Sequence, residues 1–548
     1  MSRSMNTIDA MTRRGLPVVE IKLDDQESSS AINSYTTLDA IMGEVRLKAD
    51  TECRFDQISI VLEGTSRTTI ERPGVVGPGS GGRSTAFHTF LRLTQPIDPS
   101  QYPQPRIIEP GRTYTFPFTF VVPDRLLPYS CTHKHNHPHI HAAHTQLPPS
   151  LGDTLVASDG SALRDDMAPA MSQISYAVRV RVTRSNPADT TKQRTLVDRA
   201  KKIRIIPATD EEPPLTISAS GVEDDYITRR EKDVKKGSFM RSRVGRLVMS
   251  AAQPRAFRVS MTTSPDAGAQ DMPTTKATVH LRFDPADENV QPPQLSTLGS
   301  KLKVTTFYAT TPWADLPSKS SAQSWMASRG HYQETVALES RCVAGTTWQK
   351  HTSEDSTSAQ QLSLSSSRRS SMQSTSTTDS AGPSAAYTGK TYYTTTLPVP
   401  ISLPTARKSY VPSFHSCLTS RTYALDLCLT YHTAGTNLLS LPSVSLRVPV
   451  QVCSGESLAE AMQAREMSVA QLRSVADEFF VPRIVSPPQE EYLGQAASLM
   501  RRDIRRDSAG VVGDEEEEEE EEEEGPPEYT HLMRPQRLVA ARVVRAEC

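Results

Sequence analysis

Apolar and polar residues alternate with a period of two in short stretches between turn-forming clusters. The stretches are Val18 to Leu23, Gly43 to Leu47, Phe55 to Gly64, His88 to Leu93, Thr113 to Val122, Ile174 to Thr183 and Lys201 to Ile206. In Ile58 to Gly64 and Tyr176 to Val182 the apolar side chains share one face, as a half-solvated strand requires. Such spacing predicts an antiparallel sandwich over residues 16–207. A second series begins near Leu215 and predicts another sandwich over 208–455. It runs through Leu247 to Ser250, Phe257 to Thr262, Ala277 to Phe283, Lys301 to Thr306, Tyr392 to Leu397, Tyr423 to Tyr431 and Val444 to Val452. Within it, His351 to Ser384 is Ser- and Thr-rich with hardly a large apolar residue, and is expected to be a disordered insertion.

The period changes after Gly455. Residues 456–480 lack Pro and Gly and set Leu458, Met462, Val469, Leu472, Val475 and Phe479 at mostly helical spacing, which predicts one amphipathic helix. Residues 481–548 read as a disordered polar tail. It holds ten consecutive glutamates from Glu515 to Glu524, then Pro526-Pro527-Glu528-Tyr529, then a basic, Val-rich end. The expected class is all-β, with two sandwiches, a C-terminal helix and an acidic tail.

Composition narrows the function classes. With 61 basic and 63 acidic residues the formal charge is −2, so nothing global steers the chain to nucleic acid or anionic lipid. Hydrophobic residues at 36% and aromatic ones at 6% are lean for a chain packed throughout, in keeping with folded modules joined by unfolded segments. The 7 cysteines are odd in number and show no CxxC spacing, and they read as reduced, mostly buried thiols of an intracellular protein. Met1 to Gly15 lacks the apolar stretch of a secretory signal, and no segment reaches the ~18 apolar residues of a membrane span. A cytoplasmic protein is expected, meeting membranes only peripherally through partners.

Specific text goes further than pattern. Phe55 to Gly64, His88 to Leu93 and Pro110 to Pro123 (PGRTYTFPFTFVVP) together resemble the arrestin N-terminal domain of fungal α-arrestins. So do Leu126 to Cys131, His144 to Gly152 (HTQLPPSLG) and Ser175 to Val182. The second half is similar to the arrestin C-terminal domain, mainly through Pro412 to Thr430 and Leu446 to Val450. The resemblance spans roughly residues 16–455. It implies a non-enzymatic adaptor that links membrane cargo, such as the cytosolic tails of transporters or receptors, to a HECT-type ubiquitin ligase through a Pro-Pro-x-Tyr motif. Ubiquitination and endocytosis of the cargo would follow, with recruitment to the plasma membrane or endosomes.

One such motif is present, at Pro526, Pro527 and Tyr529. A proline pair pre-sets a polyproline II turn that packs on the aromatic groove of a WW domain, and the tyrosine ring fills the adjacent pocket. Pro487-Pro488 is separated from Tyr492 by three residues rather than one, which is out of register for that pocket. The alternative on the same fold is a signalling scaffold at membrane receptors with no ligase recruitment.

Other features carry two readings each. Cys131, His133, His135, His137, His139, His141 and His144 fall within fourteen residues. In an extended strand, histidines two and four apart share a face and would converge on Zn or Cu. The plainer reading is a polar surface loop between Pro128 and Pro148, and no cofactor is expected. A metal-dependent enzyme is a third alternative, but no HExxH or GxSxG motif accompanies the cluster. Arg368-Arg369-Ser370-Ser371 and Arg505-Arg506-Asp507-Ser508 fit basophilic-kinase sites, where phosphate at Ser370, Ser371 or Ser508 would create a 14-3-3 type docking site or block cargo contact; the plainer reading is a solvated Ser-rich linker with fortuitous matches. Arg229, Arg230, Lys232, Lys235, Lys236 and Arg241 are expected in an exposed connection, either solvated or facing acidic cargo or phospholipid. The glutamate run reads as a solvating spacer or as a mask for those residues. No lysine occurs from Ser409 to Cys548, so a ubiquitin acceptor is expected in the sandwiches or the insertion, with Lys232, Lys235 and Lys236 as the candidates.

Overall fold

A computed structural model describes residues 16–25, 32–71, 82–158, 163–186, 189–217, 225–236, 242–259, 272–322, 328–352, 381–385, 387–433 and 441–454. The first group of strands is β1 (Val18–Leu23), β2 (Ser34–Tyr35), β3 (Ala40–Lys48), β4 (Cys53–Arg54), β5 (Gln57–Glu71), β6 (Arg83–Gln95), β7 (Ile107–Ile108), β8 (Tyr114–Val121), β9 (Ser172–Asn186) and β10 (Asp189–Ile205). They form a three-stranded sheet, β1-β3-β8, and a five-stranded sheet, β2-β10-β9-β5-β6. The pleat explains the pairing of these sheets. Ile58, Ile60 and Leu62 of β5 and Val178, Val180 and Val182 of β9 turn inward and meet Val45, Leu47, Phe116, Phe118 and Phe120 of the facing sheet in one buried cluster.

The second group is β11 (Arg229–Lys236), β12 (Ser242–Ala251), β13 (Phe257–Val259), β14 (Thr274–Pro285), β15 (Gln294–Ala309), β16 (Arg329–Cys342), β17 (Gln349–Thr352), β18 (Thr391–Ser402), β19 (Phe414–His415), β20 (Thr419–His432), β21 (Ser443–Val450) and β22 (Val452–Ser454). One sheet runs β11-β12-β14-β18-β17; the other runs β16-β15-β20-β19, with β21 also on β20. Leu247, Met249, Val279, Leu281 and Phe283 face Leu302, Val304, Leu425, Leu427 and Val448 across the second core. Among the described residues the α-helices are short: α1 (Pro138–His144), α2 (Thr154–Ala157) and α3 (Lys319–Ala322). Among the described residues no helix is long and apolar enough to cross a membrane. The class is all-β, with arrestin-like sandwich layers; residues 456–480, where a helix was expected, lie outside the described residues.

The resembling text is structural at its key points. Gly64 sits at a bulge in the β5–β6 register, where a Cβ would meet the rings of Phe90 and Tyr176 at 2.6 and 2.9 Å. In HTQLPPSLG, Leu147 and Leu151 are buried and the Tyr176 hydroxyl donates to Pro148 O at 2.5 Å. Gly152 adopts φ +79° with its Cβ direction blocked by Ser172 O, so the position needs glycine.

Three expectations are corrected. The basic stretch from Arg229 is no loose connection but the edge strand β11, paired with β12 from Arg229↔Ser250 to Lys236↔Ser242. Val234 is its buried anchor, and the exposed lysines beside it are what an edge strand carries to discourage further pairing. The insertion is also narrower than His351 to Ser384. His351 and Thr352 pair with Tyr392 and Thr391 in β17–β18, and Ser384 is buried with its N–H on Asp284 Oδ2 at 2.7 Å. Lastly, the stretch 128–148 is neither one strand nor a wholly open loop: a 3-10 turn over Pro128–Ser130 and helix α1 are built into it.

The two cores interpenetrate. Val411 and Phe414 join the first cluster, and Met167 joins the second. Met167 does so at φ 58°, a left-handed conformation unusual for a long side chain. Asp165 Oδ1 and Asp166 Oδ1 hold that turn by accepting from the Met167 and Ala168 N–H groups at 2.8 and 3.1 Å. Lys408 Nζ reaches Asp165 at 2.8 Å, and the fully buried Arg421 donates to Asp166 O at 3.0 Å. The sandwiches are thus fastened by charged groups at this joint and belong to one compact unit.

Candidate functional site

A second joint lies where the loop after β8 meets the hairpin between β19 and β20. The loop is closed at its base, where Leu126 N–H donates to Thr145 O at 2.8 Å. Its 3-10 turn ends at Cys131, whose N–H donates to Pro128 O at 3.1 Å. Pro138 then opens α1 at a position where its missing N–H is harmless. With 3.6 residues per turn, Ile140 and His144 share the inward face and are buried, whereas His137 and His139 are exposed and stack on each other. Asn136 ties the loop to the second sandwich, its N–H on Ala314 O at 3.1 Å and its amide on Asp315.

On the other side, Ser416 Oγ donates to Thr419 O at 2.7 Å, which leaves Cys417 and Leu418 at a tight hairpin tip. Cys417 O accepts the Trp313 N–H at 3.0 Å. The tip presents Cys417 to Cys131, and both are buried. Around Cys131 Sγ stand His133 Nε2 at 3.3 Å, His135 Nε2 at 3.1 Å and His144 Nδ1 at 3.6 Å; His144 Nδ1 and His133 Nε2 are themselves 3.3 Å apart. One donor atom each of Cys131, His133, His144 and Cys417 lies within 4.8 Å of all the others.

Electrostatics in the cluster follow from that crowding. The hydrogen bond from the Cys417 thiol, joined by those of His133 and His144, holds the Cys131 thiol well below its ordinary range despite desolvation. The same contact with Cys131, and then burial, pushes Cys417 up. Burial disfavours the charged form of His133, but hydrogen bonding to Cys131 and its charge outweigh that and raise its pKa. His144 is more deeply placed, and desolvation keeps its pKa below the ordinary value. Burial similarly pushes the neighbouring His415 down to about 4. The site gathers two buried thiols and three imidazoles, of which His144 is buried and His133 and His135 are half-buried.

The structure therefore brings together His133, His135 and His144 of the six histidines singled out in the sequence. It leaves His137 and His139 on the surface and His141 as a ring against His135 at 5.3 Å. Cys417 was missed by sequence reasoning, because a single cysteine far along the chain has no spacing signal. Lys232, Lys235 and Lys236 are exposed on β11, with Lys232 Nζ donating to Ser443 O. Glu231 and Asp233 alternate with them and pair with Arg229, Arg243 and Arg246, so the edge is less basic than its lysines suggest. Pro526, Pro527, Tyr529, Ser370, Ser371 and Ser508 lie outside the described residues.

Residues 332–454 match the family model of the Bul1 C terminus. The match supports an arrestin-related adaptor family for the part of the chain that it covers. It runs from within β16 to the end of β22 and takes in Lys408, Cys417 and Arg421, but less than a quarter of the chain. No curated protein matches the chain.

Proposed function

We propose that the chain is a non-enzymatic, arrestin-like adaptor, in which the sandwiches select a membrane-protein tail and Pro526, Pro527 and Tyr529 recruit a WW-domain HECT-type ubiquitin ligase. The Bul1 match over residues 332–454, on an all-β scaffold of two packed sandwiches, is the observation that carries this reading. The mechanism asks no covalent chemistry of the adaptor. Holding ligase and cargo lysines on one scaffold raises their effective concentration, so that transfer becomes in effect intramolecular. Packing supports that role, since cores that exchange Met167, Val411 and Phe414 present both sandwiches to cargo as one body. The adaptor works in the cytoplasm and reaches the plasma membrane or endosomes through its cargo. Phosphate at Ser370, Ser371 or Ser508 would regulate it by docking 14-3-3 proteins.

The test is titration of a peptide spanning Glu520 to Arg534 against isolated WW domains, beside the same peptide with Tyr529→Ala. Micromolar binding that disappears with the tyrosine is expected. Equal binding by both peptides, or none by either, removes ligase recruitment and leaves the signalling scaffold.

A further inference from the structure

We propose that Cys131 Sγ, His133 Nε2, His144 Nδ1 and Cys417 Sγ bind one zinc ion, which fastens the loop of the first sandwich to the hairpin tip of the second. The inference is independent of ligase recruitment. Its first support is geometric. Zinc bonds of ~2.3 Å to sulfur and ~2.0–2.1 Å to nitrogen place tetrahedral ligands about 3.5 Å apart for an S–N edge and about 3.3 Å for an N–N edge. The cluster shows S–N edges of 3.3 and 3.6 Å and an N–N edge of 3.3 Å. Cys417 supplies the fourth corner, within 4.8 Å of each of the other three.

The donor set gives the second support. Two thiolates and two imidazoles without a carboxylate suit zinc and disfavour magnesium or calcium. Four protein ligands leave no open position for water or substrate, so the ion's role is structural. His133 also has the outer partner that a zinc-bound imidazole needs: its Nδ1 lies 3.2 Å from Lys134 O, which fixes the tautomer and frees Nε2 for the metal. His135 Nε2 stands 3.1 Å from the Cys131 sulfur, placed to hydrogen-bond it from outside the four.

A third support is the way the backbone delivers these side chains. Cys131 ends a 3-10 turn, His144 sits on the buried face of α1, and Cys417 occupies a hairpin tip closed by Ser416. Cys131, His144 and Cys417 are at most 3% exposed, so the ion would be screened from chelators in a way that a histidine-rich surface loop would not screen it.

The test uses the full chain without a histidine tag, purified under reducing conditions, with zinc measured by elemental analysis. One zinc per chain is expected, lost in Cys417→Ala and in His133→Ala but kept in the double variant His137→Ala/His139→Ala. Cobalt added to the zinc-stripped wild type supplies a second readout that does not depend on the folding of Cys417→Ala. Tetrahedral d–d bands with a thiolate-to-cobalt charge-transfer band support the site, and octahedral bands overturn it. Absence of zinc from the wild type, its loss only in the His137/His139 variant, or a Cys131–Cys417 disulfide in the reduced preparation would each overturn it.

Discussion

The two sandwiches are joined in two chemically opposite ways. Around Asp165, Asp166, Lys408 and Arg421 the contacts are hard: ionised groups, a buried guanidinium and backbone carbonyls. Around Cys131 and Cys417 they are soft, with thiols and imidazoles that have few partners besides one another. A charged joint is complete when the chain folds, whereas a thiol–imidazole joint depends on protons, redox state and metal supply. Both joints draw on the segment from Lys408 to Arg421, within the stretch that matches the Bul1 C terminus.

Truncation should separate the joints most sharply at Arg421. Its guanidinium is fully buried and donates to Asp166 O, so Arg421→Ala is expected to cost about 2–5 kcal/mol in urea unfolding by leaving a cavity and an unpaired carbonyl. Arg421→Met fills the space without charge and should cost less, the difference between the two variants being the share of Arg421's contribution that is shape. Equal losses in both variants would assign the stability to the guanidinium itself.

The soft joint should respond to metal instead. With free zinc at about 100 times its Kd, the wild type should gain about 2.7 kcal/mol over the stripped protein, and Cys417→Ala should gain nothing. A gain of the same size in both proteins would place the binding elsewhere.

The smallest effect belongs to Lys408. Its ammonium pairs with Asp165 and Glu334 near the surface, and Lys408→Ala should cost about 0.5–1 kcal/mol. Burial opposes ionisation of Asp165, but the Lys408 hydrogen bond outweighs it and lowers the folded pKa. Its contribution is therefore full above the unfolded value of about 3.9 and is lost as pH falls through the folded value. Wild type and variant should differ at pH 7 and converge in acid, by urea unfolding at each pH.

Much of the fold was legible because its central strands alternate cleanly. Ile58, Ile60 and Leu62, like Val178, Val180 and Val182, point inward as the period of two requires. Edge strands were not legible for the same reason in reverse: β11 buries only Val234 and β16 only Val336, and a strand with one inward residue has no period. In the histidine loop, the spacing of two invited a strand, but Pro138 begins a helix and so sends His139 outward and His144 inward. The signal was present in Pro138 and in the four-residue step from Ile140 to His144. Cys417 was beyond local reading, because the site exists only where two distant turns meet.

Ligase recruitment can be tested on the whole molecule by incubating the full chain with a WW-domain HECT ligase, ubiquitin and its activating and conjugating enzymes, beside full-length Tyr529→Ala. The adaptor reading predicts ubiquitin on exposed lysines of the wild type, Lys232, Lys235 and Lys236 of β11 first, and at least a tenfold loss in the variant. Equal modification of both chains would contradict it.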